Sequence, residues 1–184
     1  MWESVWTLIS EMNKINYVFL RNWEDICDDF DESSDWDILC DNLNEFVSLC
    51  NLMPLSHNEI CFNYYTFIRN KKLLIDVRCV GDGCYDKNWE EDMLRHREKN
   101  GNCYILESTH QKYSILYHCL LQKKCMDFEK YGDYMQQNFG EYNTINYLRI
   151  LADYLKENQY CFHTPKDVGI YINKTNRRIL EGLL

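Results

Sequence analysis

Proline and glycine are scarce in this sequence, two and seven residues respectively out of 184. No stretch has the Pro, Gly or Ser richness of a linker, and no internal repeat or low-complexity tract is present, so a single domain is expected over residues 1–184. Recognisable motifs are missing too. The ten cysteines contain no Cys-x-x-Cys pair, and the five histidines, His57, His96, His110, His118 and His163, are far apart with no His-Glu-x-x-His. Zinc is left only a site assembled from residues distant in sequence. There is no phosphate-binding glycine loop, Rossmann glycine pattern, kinase motif set or Ser-His-Asp signature. No apolar run reaches membrane-spanning length, and Glu3 and Glu11 interrupt the first apolar pattern, unlike a secretory leader. The expectation is a cytoplasmic protein with reduced thiols and no membrane partner.

What is present is acidic. Asp and Glu number 29 against 20 Lys and Arg, a formal charge of -9 that repels a nucleic-acid backbone and argues against bulk DNA binding. Hydrophobic residues at 46% supply enough material for a core. The charge is segregated: no Lys or Arg occurs from Asn22 to Ile68, where Glu24, Asp25, Asp28, Asp29, Asp31, Glu32, Asp35, Asp37, Asp41 and Glu45 crowd together. Such a stretch welcomes a cation, although most of these charges read as solvated surface.

Hydrophobic spacing predicts the elements. Trp2, Val5, Trp6, Ile9 and Met12 fall on one helical face. Tyr17-Val18-Phe19-Leu20 and Asp35-Trp36-Asp37-Ile38-Leu39-Cys40 read as strands, and Leu43, Phe46, Val47 and Cys50 as a helix ending before Pro54. Cys61 to Ile68 and Lys71 to Val80 form a predicted hairpin across Arg69-Asn70-Lys71-Lys72, closed by Gly81-Asp82-Gly83. Helices dominate afterwards, with one short strand at Cys103 to Leu106. The fold class expected is α+β: a small mixed sheet within residues 1–107 and a helical cover from 108–184.

Two aspartates at i and i+2 on a strand leave the same face about 7 Å apart. Same-face carboxylates can share divalent cations, and two ions roughly 4 Å apart activate an attacking oxygen while neutralising a leaving phosphate. Mg²⁺, or Mn²⁺ in its stead, suits such oxygen ligands. Fifteen aspartates make a chance Asp-x-Asp unsurprising. Asp29-Phe30-Asp31 lies in polar sequence and reads as an exposed acidic loop. Asp35-Trp36-Asp37 leads into a buried strand, with Ser33 and Ser34 before it as donors to a phosphate. Asp76 lies inside the apolar run Leu73 to Val77, where a lone charge needs a metal ion or an arginine. Arg78, two residues on, is the ion-pair candidate and also a phosphate ligand.

In this order of parts the sequence resembles the nucleotidyltransferase-fold superfamily, which includes DNA polymerase β and the minimal and toxin-type nucleotidyltransferases. The resemblance covers roughly the first 80 residues. It implies that Asp35, Asp37 and Asp76 hold two metal ions, with Asp76 helping to deprotonate an acceptor hydroxyl. Where that family commonly carries Gly-Ser at the end of its first strand, this sequence has Leu20-Arg21-Asn22, and Arg21 is the candidate replacement for the phosphate grip. Arg69, Lys71 and Lys123 are further basic candidates, and Trp36, Tyr64 and Tyr65 either stack on a base or fill the core.

The leading expectation is a metal-dependent nucleotidyltransferase. It would move a nucleoside monophosphate from ATP or another nucleoside triphosphate to an acceptor on a small molecule, a protein or an RNA end. Two alternatives stand beside it: an Asp-x-Asp glycosyltransferase using a nucleotide-sugar, and a catalytically degenerate nucleotidyltransferase-like module that binds without turnover.

Overall fold

The computed structural model describes residues 1–32, 35–56, 63–125 and 128–184. Ser33, Ser34 and the first two residues of the expected strand from Cys61 lie outside the described residues. The chain is α+β and divides into two compact units, one made of Met1–Glu107 with Thr164–Val168, the other of Ser108–His163 with Gly169–Leu184.

The first unit begins with α1 (Val5–Met12), whose N-terminus is closed by a reciprocal Ser4–Thr7 capping box. Trp2 departs from the expected helical face: it precedes α1 and bridges to Ile68, its backbone bonding to Phe67 and Arg69. Strand β1 (Tyr17–Arg21) and β2 (Asp35–Cys40) follow, then α2 (Leu43–Leu49), the two-residue β3 (Met53–Pro54), β4 (Asn63–Ile68) and β5 (Lys71–Cys79). The hairpin between β4 and β5 turns on Arg69 and Asn70 alone, with Arg69 at a left-handed φ of 53°. After α3 (Lys87–Arg95), a second small hairpin forms from β6 (Glu98–Asn100) and β7 (Cys103–Ile105), where the sequence pattern predicts only one strand.

These strands make one mixed seven-stranded sheet in the order β3-β4-β5-β2-β1-β7-β6. β2 lies between β1, antiparallel to it, and β5, parallel to it. Alternation along the strands sends Tyr17, Phe19, Trp36, Ile38, Cys40, Leu73, Ile75 and Val77 to one face, where they form a core with Val5, Leu8, Ile9 and Met12 of α1 and Phe46 of α2. The aspartates of β2 and β5 take the other face. Trp36 is therefore a core residue, edge-on to Phe19 at 5.3 Å between ring centroids, and not a surface for a base. Tyr64 also packs against this core.

The loop after β5 is built from backbone donors and buried acids. Glu90, fully buried, accepts N–H bonds from Gly81 (2.7 Å) and Tyr85 (3.1 Å), while Asp82 accepts from Cys79 (3.1 Å) and Cys84 (2.6 Å). Gly83, at φ +83°, lies so close to the Thr164 carbonyl that a Cβ would come within 2.7 Å of its oxygen. Lys166 bonds Gly81 and Asp82 from the same returning segment.

The second unit consists of α4 (Ser108–Leu121), α5 (Phe128–Phe139), α6 (Thr144–Glu157) and α7 (Lys174–Leu183). Tyr113 of α4 stacks on Tyr154 of α6 at 3.7 Å, and the half-buried His118 ring lies 3.0 Å from the Gln122 side-chain oxygen.

Candidate functional site

Register decides which charged residues meet. Residues paired across neighbouring strands point to the same face, and the pairs Arg21↔Asp37, Asp37↔Asp76 and Asp76↔Asn63 run across β1, β2, β5 and β4. They form a single row, Arg-Asp-Asp-Asn. Asp35 stands one step back along β2 and Arg78 one step forward along β5, both on this face. Asp35, Asp37 and Asp76 are thus gathered on adjacent strands, and Arg21 and Arg78 join them.

Arg21 reaches this row through a β-bulge. Phe19 pairs with Ile38, so an uninterrupted ladder would place Leu20 opposite Asp37 and turn Arg21 towards the core face. The register shifts between Phe19 and Arg21, and the extra residue brings Arg21 opposite Asp37. Asn22 then takes the left-handed conformation, φ 59°, that a glycine adopts most easily and asparagine next. Its side-chain amide donates to Asp37 at 3.2 Å.

The resulting pairs are tight. Arg21 grips Asp37 with two bonds, Nη2 to Oδ1 at 2.5 Å and Nε to Oδ2 at 3.2 Å, and both side chains are about nine-tenths buried. Tyr85, fully buried, lies 3.4 Å from Arg21 Nη1. Arg78 spans two carboxylates, Nη2 to Asp76 at 2.9 Å and Nη1 to Asp167 at 2.6 Å. Burial pushes Asp76 up to about 6; Arg78 opposes the rise, and the charges of Asp37 and Asp35 add to it.

Both oxygens of Asp37 are engaged by Arg21, and one also by Asn22, while Arg78 claims an oxygen of Asp76. As arranged, the donors do not fit a divalent ion. No group of three or more His, Cys, Asp or Glu among the described residues is placed to hold a metal. A cavity of about 120 Å³ adjoins Asp35 and Asp76, lined also by Leu55, Asn63 and Tyr64. Pockets for nucleotide-sized ligands are roughly 300 Å³ or larger. A larger cavity, about 770 Å³, opens at the other end of the strands, where Asn16 precedes β1 and Asp41 and Val80 follow β2 and β5.

The remaining candidates are occupied elsewhere. Arg69 donates to the Glu3 carbonyl, Lys71 pairs with exposed Asp29 at 3.0 Å, and Tyr65 carries Lys72 over its ring. Lys123 belongs to the helical unit, where its carbonyl accepts a bond from Asn173 at 3.3 Å. Asp167 is the member that sequence reasoning misses. It lies far along the chain in a segment with no regular element, and no local pattern announces it.

The site is thus an internally paired carboxylate row on the mixed sheet of an α+β fold. No protein-family model matches this sequence, and neither a curated protein nor a solved structure matches it significantly.

Proposed function

We propose that this chain is a nucleotidyltransferase-like binding module in which arginines take the place of divalent ions, so that it binds without turning over a nucleotide. The bidentate Arg21–Asp37 pair carries this reading. Carboxylates packed side by side repel one another and need positive charge between them, which either metal ions or guanidinium groups supply. Here Arg21 and Arg78 supply it, and a divalent ion entering the row would meet two fixed cations. The small cavity beside Asp35 and Asp76 supports the same reading. Exposed Glu24, Asp25, Asp29, Asp31, Glu32 and Asp35 surround the start of β2 with negative charge, which disfavours a triphosphate and favours a cationic partner.

A second reading, metal-dependent nucleotidyl transfer with Mg²⁺ or Mn²⁺ on Asp35, Asp37 and Asp76, is favoured by the convergence of those carboxylates on one face. It requires both ion pairs to open. Calorimetric titration of ATP, GTP, CTP, UTP and UDP-glucose, with and without Mg²⁺ or Mn²⁺, separates the readings when combined with a pyrophosphate-release assay. The binding module shows no metal-dependent turnover. Pyrophosphate release that needs metal and disappears in Asp35→Ala and Asp37→Ala installs the second reading. Mn²⁺-dependent breakdown of UDP-glucose installs glycosyl transfer.

A further inference from the structure

The end of the sheet away from the carboxylate row carries a different pair. Cys40, the last residue of β2, and Cys79, the last of β5, are register partners on adjacent parallel strands, and both face the core. Neighbouring strands lie about 4.8 Å apart, inside the roughly 4.4–6.8 Å that separates the Cα atoms of a disulfide. The two cysteines differ in exposure: Cys40 is wholly buried, while Cys79 is half-buried, with its Sγ 3.6 Å from the Asp41 carbonyl. Asp41 and Val80, next in chain to the two cysteines, line the 770 Å³ cavity, and the partial exposure of Cys79 itself is what admits a small reagent to the pair.

We propose that Cys40 and Cys79 form an oxidisable dithiol site that takes hydrogen peroxide as its oxidant and closes a disulfide between β2 and β5. Cys79, the accessible sulfur, attacks the terminal peroxide oxygen; an S–O bond forms, the O–O bond breaks, and hydroxide leaves to take up a proton. Cys40, reachable only by its neighbour, then gives up its proton and attacks the Cys79 sulfenic acid. The S–S bond forms, the S–O bond breaks and a second water leaves. With hydrogen peroxide, two thiols are oxidised, one peroxide is reduced and two waters are produced. Electrostatics assist the first step. The Cys40 thiol hydrogen bond holds Cys79 down to about 7 against the opposing effect of its own burial; the Leu43 backbone N–H helps, and Asp82 and Asp41 oppose.

The test uses the reduced wild-type chain. It is treated with limiting hydrogen peroxide, alkylated, digested without reductant and mapped by mass spectrometry. The expected product is a linked peptide pair containing Cys40 and Cys79, lighter by two hydrogens and reopened by dithiothreitol, formed before exposed Cys27, Cys125 and Cys161 are oxidised. In Cys40→Ser, Cys79 stops at a sulfenic acid that dimedone traps; in Cys79→Ser, Cys40 stays reduced. The proposal is overturned if Cys40 and Cys79 both remain open to alkylation after unfolding while the exposed cysteines react. It is equally overturned if Cys79 couples to another cysteine. Mapping the wild type decides the matter even where a variant fails to fold.

Discussion

A carboxylate that accepts two hydrogen bonds from one guanidinium has little left to offer a cation, and Asp37 is in that position. Arg21→Ala releases it beside Asp35 and Asp76 with only Asn22 still bonded. The expected result is a gain in Mn²⁺ affinity on the order of tenfold over wild type, about 1.4 kcal/mol, read by calorimetry. The double variant Arg21→Ala/Asp37→Asn should lose that gain. Equal Mn²⁺ binding by wild type and Arg21→Ala would show that the guanidinium does not guard the row. Arg78 poses the complementary case, because its one side chain holds Asp76 and the almost fully buried Asp167. Removing one partner from a buried ion pair costs about 3–5 kcal/mol. Arg78→Ala should therefore lower the urea midpoint far more than Asp76→Asn, whose carboxyl is a quarter exposed. Similar losses in the two variants would contradict the view that Arg78 is the shared clamp.

At the scale of elements, the returning segment Thr164–Val168 is fastened to the sheet unit by short contacts, and Gly83 is where they are closest. Alanine there combines a left-handed φ with a Cβ 2.7 Å from a carbonyl oxygen, so Gly83→Ala should destabilise by about 2 kcal/mol or more. Trypsin should then cut after Lys166 faster under native conditions, since that residue is held by Gly81 and Asp82. An unchanged cleavage rate at Lys166 would mean that the segment is anchored elsewhere. The same segment marks the limit of what the sequence discloses. Strand β2 was legible to the residue because apolar side chains follow Asp35-Trp36-Asp37, and β5 to within one residue of its end because of the apolar run Leu73 to Val77. Strand alternation put Asp35 and Asp37 on one face, while the meeting of that pair with Asp76 was what the family resemblance implied and depends on the pairing of β2 with β5. Arg21 as a partner of Asp37 was not legible, because alternation from Phe19 puts Leu20 at that register and only the bulge corrects it. Asp167 was hidden by sequence distance. Hairpin β6–β7 was half visible, since Glu98-Lys99-Asn100 is exposed and carries no apolar alternation. Trp2 fits a helical face by spacing, yet its backbone is taken by the β4–β5 hairpin.

At the scale of the whole molecule, buried acids set how stability responds to pH. Burial raises Glu90 from 4.5 to about 8, reinforced by the charge of Asp82 and a side-chain bond with it, and opposed by the backbone N–H donors of Gly81 and Tyr85. Burial also raises Asp76 from 3.8 to about 6. A carboxyl whose folded value exceeds its unfolded value binds more protons when folded. Its contribution is complete below the unfolded value and is lost as pH rises through the folded one. Glu90 thus withdraws support from about pH 4.5 to about pH 8, and Asp76 from about pH 3.8 to about pH 6. Cys79, lowered from 9.0 to about 7, acts with the opposite sign and only above about pH 7. The loss of stability should therefore be steepest between about pH 4.5 and pH 6, where both acids act, and continue through Glu90 alone to about pH 7, where the thiol begins to offset it. Urea denaturation across this range should give a falling midpoint for wild type. Glu90→Gln should flatten most of the slope, and Asp76→Asn only the part below about pH 6. A wild-type midpoint that is level or rising over this interval, at constant urea dependence, would mean that Glu90 ionises in the folded protein as it does in the unfolded chain.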